Sequence, residues 1–370
     1  MMPSIVIVGA GPSGIGMGIL LKKLGVEDFV ILEKGEVGNS FLNWPAEMRM
    51  ITPSFTGQGF GALDLNSIYP ATSPAYTLKK ERLSGKDYAL YLDLLVDHLD
   101  LPIEENIEVT SVKKENNQFR LMTDEGYYDA DIVIWATGEY QFPNLDVFTG
   151  IEHCLHNSRV GTWNNIKGKE IVVIGGQESG IDAAVNLINL GKNVTVISKK
   201  EMNQKKIADP SLTLSPFTWE RLNNSLETDR LQFKEKVEVI EVLKDGETFK
   251  ILLSDGSLIE SSEQPILATG FKSGALQVQE MFEWMDNGKP KLTDYDESTI
   301  TKNLFLIGPS VQHKKVIFCF IYKFRQRFAI VAKEIVERFN LDHNSRIFNY
   351  YKQHQMLLDD LTCCEVECEC

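Results

Sequence analysis

Two segments of this chain carry glycines at the spacing that cradles a phosphate. The first reads Ile5-Val-Ile-Val-Gly-Ala-Gly-Pro-Ser-Gly14, and the second reads Ile171-Val-Val-Ile-Gly-Gly-Gln-Glu-Ser-Gly180. Turns of this kind let backbone N–H groups and a helix N-terminus approach a pyrophosphate closely. The two segments therefore predict two dinucleotide sites, between which electrons would pass.

The elements around the first segment are those that a dinucleotide site needs. Branched apolar residues predict a buried strand over 5–8, apolar residues at helical spacing predict a helix over 15–24, and Gly25 predicts its end. A second strand over 29–32 leads to Glu33, about twenty residues beyond the glycines. A carboxylate at this position is expected to accept the hydroxyl groups of an adenosine ribose.

The second segment follows the same plan. Strands are predicted over 171–174 and 194–197, and a helix over 181–190 ends at Gly191. Gln177 occupies the middle glycine position, so the backbone should approach the pyrophosphate less closely than in the first segment.

The residue that matches Glu33 in the second segment is Ser198, which Lys199 and Lys200 follow. A carboxylate there would repel a 2′-phosphate, whereas a hydroxyl and two ammonium groups would attract one. NADPH is therefore favoured over NADH. The alternative is a solvated lysine pair after a strand, because exposed lysines are common.

Composition is that of an acidic globular enzyme. The 370 residues, of which 43% are hydrophobic, predict about two domains with sizeable cores. A formal net charge of −14 argues against nucleic-acid binding. The most apolar run, 316–332, is interrupted by Lys323, Arg325 and Arg327, so it predicts an amphipathic helix and no membrane partner.

The cysteines and the N-terminal residues predict a cytoplasmic location. The apolar N-terminus lacks a basic leader and is explained by the first strand, turn and helix. Four of the six cysteines, Cys363, Cys364, Cys368 and Cys370, lie in the last eight residues, so the body is not a disulfide scaffold.

Two apolar strands that close on Ala-Thr-Gly complete the pattern: Ile132-Val-Ile-Trp-Ala-Thr-Gly138 and Ile266-Leu-Ala-Thr-Gly270. Together with the glycine segments, they resemble the two-dinucleotide-binding flavoproteins, in which FAD occupies the first site and NAD(P)H the second. The resemblance implies an α/β fold of two Rossmann-like domains, with the NADP domain inserted into the FAD domain. The expected boundaries are 1–150 and 298–345 for the FAD domain, 151–297 for the NAD(P)H domain, and 346–370 for an acidic, cysteine-rich tail.

The resemblance also implies where each cofactor binds. The residues expected to bind FAD are Gly9, Ala10, Gly11, Pro12, Ser13, Gly14, Glu33, Lys34, Ser40, Phe41, Trp44, Met50, Thr52, Val109, Ala136, Thr137, Gly138, Gly308 and Pro309. The residues expected to bind NADPH are Gly175, Gly176, Gln177, Glu178, Ser179, Ser198, Lys199 and Lys200. His156 and Arg159 are candidates for contact with the nicotinamide, or His156 caps a turn in the linker.

The late part of the FAD domain departs from the family. A strand over 303–308 precedes a helix predicted over 316–339, but Pro309 stands where many relatives have an aspartate for the flavin ribityl chain. The residues before that helix, His313, Lys314 and Lys315, are expected to stabilise negative charge on the flavin pyrimidine ring. A solvated loop is the alternative for the lysines.

Within this superfamily the chain resembles the flavin-containing monooxygenases. The resemblance rests on Phe148-x-Gly150 with His156 and Trp163, on Ala136-Thr-Gly-x-x-x-x-Pro143, and on Phe41 with Trp44-Pro45. It implies that a C4a-peroxyflavin transfers one oxygen atom from dioxygen to a small sulfur, nitrogen or carbonyl substrate. The implied partners are that substrate and dioxygen, with a homodimer possible, and no catalytic residue or metal ligand is assigned.

Two alternatives remain. Asn39-Ser-Phe-Leu-Asn-Trp-Pro45 resembles bacillithiol disulfide reductases, which would favour an NADPH-dependent reductase of a disulfide, quinone or metal ion. That family places a cysteine in the first glycine segment, where this chain has Ser13, and residues 34–62 contain no cysteine. The second alternative is a metal-binding or sensor flavoprotein that acts through Cys363, Cys364, Cys368 and Cys370, whose spacing matches no zinc pattern.

Overall fold

The computed structural model describes residues 3–57, 62–202 and 210–361. Contacts divide them into two compact units. Unit 1 contains the described residues of 3–42, 52–139 and 272–361, and unit 2 contains those of 43–51 and 140–271.

The chain alternates strands and helices through most of its length. The strands are β1 (Ile5–Val8), β2 (Phe29–Glu33), β3 (Ile103–Glu105), β4 (Val109–Glu115), β5 (Gln118–Thr123), β6 (Tyr127–Ala130), β7 (Ile132–Trp135), β8 (Leu155–His156), β9 (Glu170–Ile174), β10 (Asn193–Ser198), β11 (Leu231–Glu235), β12 (Val239–Asp245), β13 (Thr248–Leu253), β14 (Leu258–Ser261), β15 (Ile266–Leu267), β16 (Glu283–Trp284), β17 (Pro290–Lys291), β18 (Leu304–Leu306), β19 (Gln312–His313) and β20 (Val316–Ile317). The α-helices are α1 (Pro12–Leu24), α2 (Asn39–Leu42), α3 (Pro74–Leu78), α4 (Gly85–Leu99), α5 (Glu178–Asn189), α6 (Pro216–Leu226), α7 (Ile321–Phe324), α8 (Phe328–Arg338) and α9 (Arg346–Gln353). Short 3₁₀ segments cover Ile151–His153, Asn157–Arg159, Trp163–Asn165, Pro210–Leu212, Gly274–Met281 and Arg325–Arg327.

Unit 1 is built on a parallel sheet with the strand order β18-β7-β1-β2-β3. Strands β1 and β7 are apolar and buried along their whole length, as expected where helices cover both faces of a parallel sheet. Helices α1 and α8 pack so closely that a Cβ on Gly16 would lie 2.3 Å from the ring of Phe328. An antiparallel sheet, β4-β5-β6, belongs to the same unit.

Unit 2 repeats this plan with the parallel strand order β11-β10-β9-β15-β8 and an antiparallel sheet, β12-β13-β14. Its apolar side chains form two clusters. One lies around α5 and includes Trp163, and the other fills the space beneath the antiparallel sheet around Val242 and Ile251. The mixed α/β architecture with two Rossmann-like sheets agrees with the fold class predicted from the sequence.

The units change at 139/140 and 271/272, whereas the sequence placed the boundaries at 150/151 and 297/298. Hydrogen bonds account for the difference. Asn144 and Thr149 bond within unit 2, where their N–H groups donate to the carbonyls of Gly270 and Ile240. Residues 272–297 bond within unit 1, for example from the indole of Trp135 to the carbonyl of Gly274.

The helix predicted over 316–339 begins later than expected. Strands β19 and β20 form a hairpin, with Lys314 at a φ of 52°, and the first helical residue is Ile321. The sequence predicts a helix N-terminus directly after His313, Lys314 and Lys315, and the structure has none there. His313 instead bonds through Nε2 to the buried carboxylate of Asp296.

In the described ranges, no helix combines the length and the apolar character needed to cross a membrane. The four cysteines of the tail lie outside the described residues, as do residues 58–61 and 203–209.

Candidate functional site

The first glycine segment forms a tight cradle at the carboxyl end of β1. A Cβ on Gly9 would lie 2.7 Å from the carbonyl oxygen of Ala136, and one on Gly14 would lie 1.9 Å from that of Gly9. Gly9 also has a φ of 108°, which side chains rarely adopt. Only glycine fits at both positions, and helix α1 begins between them at Pro12.

The second segment has the same geometry in unit 2. A Cβ on Gly175, at a φ of 122°, would lie 2.3 Å from the carbonyl oxygen of Ala268, and one on Gly180 would lie 1.8 Å from that of Gly175. In each unit, the first glycine therefore touches the alanine of the Ala-Thr-Gly strand end. This contact explains why the two motifs occur as a pair in both halves of the sequence.

The middle position of each segment does not require glycine. Gly11 has a φ of −83° and a ψ of −173°, and Gln177 has almost the same backbone conformation, with −102° and −169°. A Cβ on Gly11 would meet no atom within 4 Å. Gln177 is therefore accepted by the fold, and its side chain affects only what approaches the loop.

Glu33 lies at the end of β2, buried beside the first cradle. Its Oε2 accepts the N–H of Ala10 at 2.8 Å, and its Oε1 accepts the N–H of Gly35 at 3.0 Å. Burial raises the pKa of the Glu33 carboxyl above its ordinary value. The two hydrogen bonds lower the pKa and offset only part of that increase. The carboxylate is thus fixed where a ribose would meet it.

The corresponding edge of unit 2 carries Ser198, whose Oγ donates to the carbonyl of Lys200 at 2.7 Å. Lys199 and Lys200 are both exposed, and Lys199 pairs with Glu238 at 3.3 Å. A Cβ on Gly176 would lie 2.7 Å from Ser198 Oγ, so a larger residue there would displace the serine side chain. These groups offer a hydroxyl and ammonium charge at the position where Glu33 stands in unit 1.

Glu178 opens helix α5 but turns away from the cradle. Its carboxylate accepts the hydroxyl of Thr218 at 2.5 Å and the N–H of Ser215, the N-cap of α6. Burial raises the pKa of the Glu178 carboxyl. The residue therefore joins α5 to α6, a role that the sequence did not indicate.

The residues predicted to line the flavin are distributed over both units. Those in unit 1 with the first cradle are Pro12, Ser13, Lys34, Ser40, Phe41, Thr52, Val109, Thr137, Gly138, Gly308 and Pro309. Trp44 and Met50 instead belong to unit 2, because residues 43–51 are packed there. Their contact with the flavin stays a prediction. Ser179, predicted for NADPH, lies in the first turn of α5 in unit 2.

The strand end at Gly308 meets the first cradle. A Cβ on Gly308 would lie 2.8 Å from the hydroxyl oxygen of Ser13. Pro309 supplies no carboxylate, but Glu139 lies beside it in the fold, where it accepts Ser310 Oγ at 2.8 Å and pairs with Lys289 at 2.5 Å. An acid is therefore available near this strand end from β7 rather than from β18.

His156 holds the linker in place in unit 2. Its Nδ1 accepts the N–H of Ser158 at 3.2 Å, and its Nε2 lies 3.2 Å from the carbonyl oxygen of Gly270. Burial lowers the pKa of the imidazole, so the neutral form is favoured. Both ring nitrogens are engaged, which agrees with the turn-capping alternative; Arg159 follows in the same 3₁₀ segment.

A strap of residues 43–51 is fastened to unit 2 by Glu47. Its carboxylate accepts the hydroxyl of Thr162, the N–H of Trp163 at 3.1 Å and the amide of Asn164 at 2.8 Å. Burial alone would raise the pKa of Glu47, but these hydrogen bonds outweigh it and lower the pKa below 4.5. Neutral pH therefore keeps the strap fastened.

Replacing Glu47 with glutamine is expected to destabilise the protein by about 1–3 kcal/mol at pH 7, because hydrogen bonds to a charged acceptor are lost. The pKa is lowered in the fold, so this contribution is complete above 4.5 and disappears as the pH falls through the lower folded pKa. Urea unfolding at pH 7 and pH 4 measures both effects. The exposed Glu152→Gln variant is the control, and an equal deficit at both pH values would contradict the assignment.

The two cradles fit dinucleotides on their own geometry. In each unit, a helix N-terminus and a space that a Cβ would fill lie at the carboxyl edge of a parallel sheet, where such ligands bind. Unit 1 adds the buried carboxylate of Glu33, and unit 2 adds hydroxyl and ammonium groups whose chemistry suits a 2′-phosphate.

Sequence comparison agrees with this geometry. The profile of the family described as pyridine nucleotide-disulphide oxidoreductase matches residues 6–308. The bacilliredoxin reductase Bdr of Bacillus subtilis is 29% identical over 194 residues, which cover 52% of this chain and 56% of that protein. The chain thus spans about half the length of that relative.

Two further similarities extend over more of the chain. A probable indole-3-pyruvate monooxygenase, YUCCA10 of Arabidopsis thaliana, is 23% identical, with 82% of this chain and 91% of that protein aligned. The solved bacillithiol disulfide reductase Bdr of Staphylococcus aureus superposes with a TM-score of 0.72 at 20% identity, covering 91% of this chain and 99% of that one. At this identity, the superposition establishes the fold.

Proposed function

This chain belongs to the pyridine nucleotide-disulphide oxidoreductase family, and from that premise we propose that it is an FAD- and NADPH-dependent monooxygenase. Unit 1 would bind FAD at the cradle of Gly9 and Gly14, with Glu33 on the ribose. Unit 2 would bind NADPH at the cradle of Gly175 and Gly180. Bound FAD supplies hydride acceptance from NADPH and the reduction of dioxygen.

The residues of the chain bind and orient the cofactors, and none of those described is required as a general acid or base. The glycines allow the pyrophosphates to approach the helix N-termini, and the buried carboxylate of Glu33 fixes the adenosine end in unit 1. Ser198 and Lys200 select the phosphorylated nicotinamide nucleotide in unit 2 by charge.

The observation that favours oxygenation over thiol chemistry is the environment of Cys154, the described cysteine whose thiol is held protonated by burial. Burial raises the pKa of Cys154 to about 12, so its thiol stays protonated at neutral pH and cannot act as a nucleophile. Ser13 lies at the start of α1, where the reductase family that the sequence resembles carries a cysteine. In the described ranges, Cys319 is the other cysteine.

The second candidate is an NADPH-dependent reductase of a disulfide, a quinone or a metal ion. The relatives support it, since the bacilliredoxin reductase is among the curated proteins most similar to this chain. Chemistry on a quinone needs no cysteine, so the protonated state of Cys154 does not count against that substrate.

Rapid mixing distinguishes the candidates. The purified protein is reduced anaerobically with NADPH, then mixed with oxygenated buffer while the near-ultraviolet and visible spectra are recorded. For a monooxygenase, we expect an oxygen-dependent species that lives for seconds or longer and matches neither reduced nor oxidised flavin, because retained NADP⁺ excludes water. Direct return to the oxidised spectrum, together with rapid turnover of quinones or disulfides, would favour the reductase.

A further inference from the structure

Arg325 is a buried cation, and within the described structure only one of its three guanidinium nitrogens donates hydrogen bonds. Only 5% of the residue is exposed, and it lies in the 3₁₀ turn before α8. Its Nη1 donates to the carbonyl oxygens of Asp64 and Ser67, both at 2.6 Å. Its Nε is buried and has no hydrogen-bond partner among the described residues. A buried guanidinium without an anionic partner is costly.

The carboxylate of Asp64, the residue whose carbonyl Arg325 contacts, is bonded elsewhere. It accepts Ser73 Oγ at 2.7 Å, the N–H of Asn66 at 3.0 Å and the N–H of Ala75 at 3.2 Å. Arg325 therefore contacts the carbonyl of Asp64 and not its charge, and no ion pair involves Arg325 in the described part of the chain. Burial lowers the pKa of the guanidinium to about 10, which leaves it charged at neutral pH.

The unused side of Arg325 is the edge formed by Nε and Nη2. Neither nitrogen donates a hydrogen bond within the described residues, whereas Nη1 donates two. Two parallel N–H groups on one edge of a guanidinium match the spacing of two oxygens on a phosphate or carboxylate. The edge that binds oxyanions is thus the one left open.

Arg325 lies at the same edge of the unit 1 sheet as the first cradle. Helix α1 begins directly after β1, at the carboxyl edge of the sheet, and the first residue of α8 packs beside the N-terminal end of α1. They are packed together where Phe328 meets Gly16, three residues after Arg325 and two residues after the cradle glycine Gly14.

Hydrogen bonds continue from Arg325 to the wall of the predicted flavin site. Asn66, in the loop that Arg325 holds, donates from Nδ2 to the carbonyl of Thr52 at 3.0 Å and to Ser54 Oγ at 2.8 Å. The hydroxyl of Tyr88 donates to the carbonyl of Asn66, and its ring lies 4.7 Å from that of Phe41. A series of hydrogen bonds and ring contacts therefore connects Arg325 to Phe41 and Thr52.

We propose that Arg325 binds the pyrophosphate of the flavin dinucleotide through its Nε–Nη2 edge, a role that rests on the proposed binding of FAD in unit 1. The pyrophosphate is the anionic part of FAD, and the first cradle places it at this edge of the sheet. Arg325 thereby links the cofactor to the loop of Asp64 and Ser67, which becomes fixed when the anion is bound.

The test compares FAD with riboflavin, which has the same ring system but no phosphate. Apoprotein is titrated with each ligand, and binding is followed by flavin fluorescence. For Arg325→Gln, we expect about 30-fold weaker FAD binding, as for loss of a charge-assisted bidentate contact, and riboflavin binding within twofold of the parent. Arg325→Lys, which keeps the charge without the fork, should give an intermediate loss. Arg120→Gln, which removes an exposed arginine from β5, is the matched control.

Each other outcome overturns the assignment in a recognisable way. Equal losses of FAD and riboflavin would show that Arg325 only supports the fold, and unchanged FAD affinity would show that its open edge serves another anion. If Arg325→Gln is unfolded by circular dichroism, the ratio measured for Arg325→Lys decides. A parent apoprotein that binds neither flavin would refute the proposed function itself, and this assignment with it.

Discussion

The Gly14→Ala variant is expected to be purified without flavin, whereas Gly180→Ala should remain yellow but lose reduction by NADPH. Each added methyl group would lie within 2 Å of a backbone oxygen, at 1.9 Å in unit 1 and 1.8 Å in unit 2, so the cradle must open. Forcing such a group into a packed site costs about 1–3 kcal/mol and displaces the helix N-terminus from the ligand. We expect reduction of the Gly180→Ala flavin to slow by about 100-fold or more at fixed NADPH concentration.

The two variants act as controls for each other because their local geometry is the same. Flavin absorbance per polypeptide measures the first effect, and anaerobic stopped-flow reduction measures the second. Gly161→Ala adds a methyl group that would meet nothing within 4 Å and should change neither property. If Gly14→Ala retained its flavin while Gly180→Ala lost it, the assignment of FAD to unit 1 and NADPH to unit 2 would be reversed.

The Ser198→Glu variant should change the preferred reductant from NADPH to NADH. Ser198 ends β10 as Glu33 ends β2, and Gly176 occupies the place of Ala10, whose N–H the Glu33 carboxylate accepts. A carboxylate there would accept ribose hydroxyls and repel a 2′-phosphate. We expect the ratio of kcat/KM for NADPH to that for NADH to fall by about 100-fold, from lost charge-assisted bonds and added repulsion.

Steady-state kinetics with both nucleotides checks this ratio. Ser262→Glu adds the same charge at an exposed position of unit 2 and should leave the ratio unchanged. Lys200→Gln should lower it more than Lys199→Gln, because Lys199 already pairs with Glu238. An unchanged ratio in Ser198→Glu would mean that the strand end after β10 does not meet the 2′ position.

The strand, glycine turn, helix and second strand of each unit could be predicted because their signals are local. A buried apolar run, glycines at fixed spacing and a helix stop at Gly25 or Gly191 leave few alternatives. In the structure both stops are left-handed glycines, and Glu33 and Ser198 occupy equivalent strand ends.

The strap could not be predicted, because its position depends on contacts distant in sequence. Residues 43–51 carry aromatic and apolar groups that would suit either unit, and Glu47 settles the choice by bonding to residues more than a hundred positions later. The order of residues along the chain does not show that Trp44 and Met50 pack with unit 2.

The run 316–332 departs from its prediction for a related reason. An amphipathic helix there would carry its charged residues on a solvated face, yet Arg325 and Arg327 are both buried. Arg327 is compensated by Asp296, with Nε 3.0 Å from Oδ2. A sequence pattern shows how charged residues are spaced but not which partners would stabilise them in the interior. Here both arginines face the interior of unit 1.

The interleaving of the two units bears on the order of events at the ribosome. The last residue that unit 2 needs among those described is 271, whereas the sheet of unit 1 lacks β18 until residue 306 has been synthesised. The unit encoded in the middle of the chain can thus mature while the one that begins the chain is still waiting. A nascent chain stalled with 271 residues outside the exit tunnel should already protect its strap from protease, but not β1.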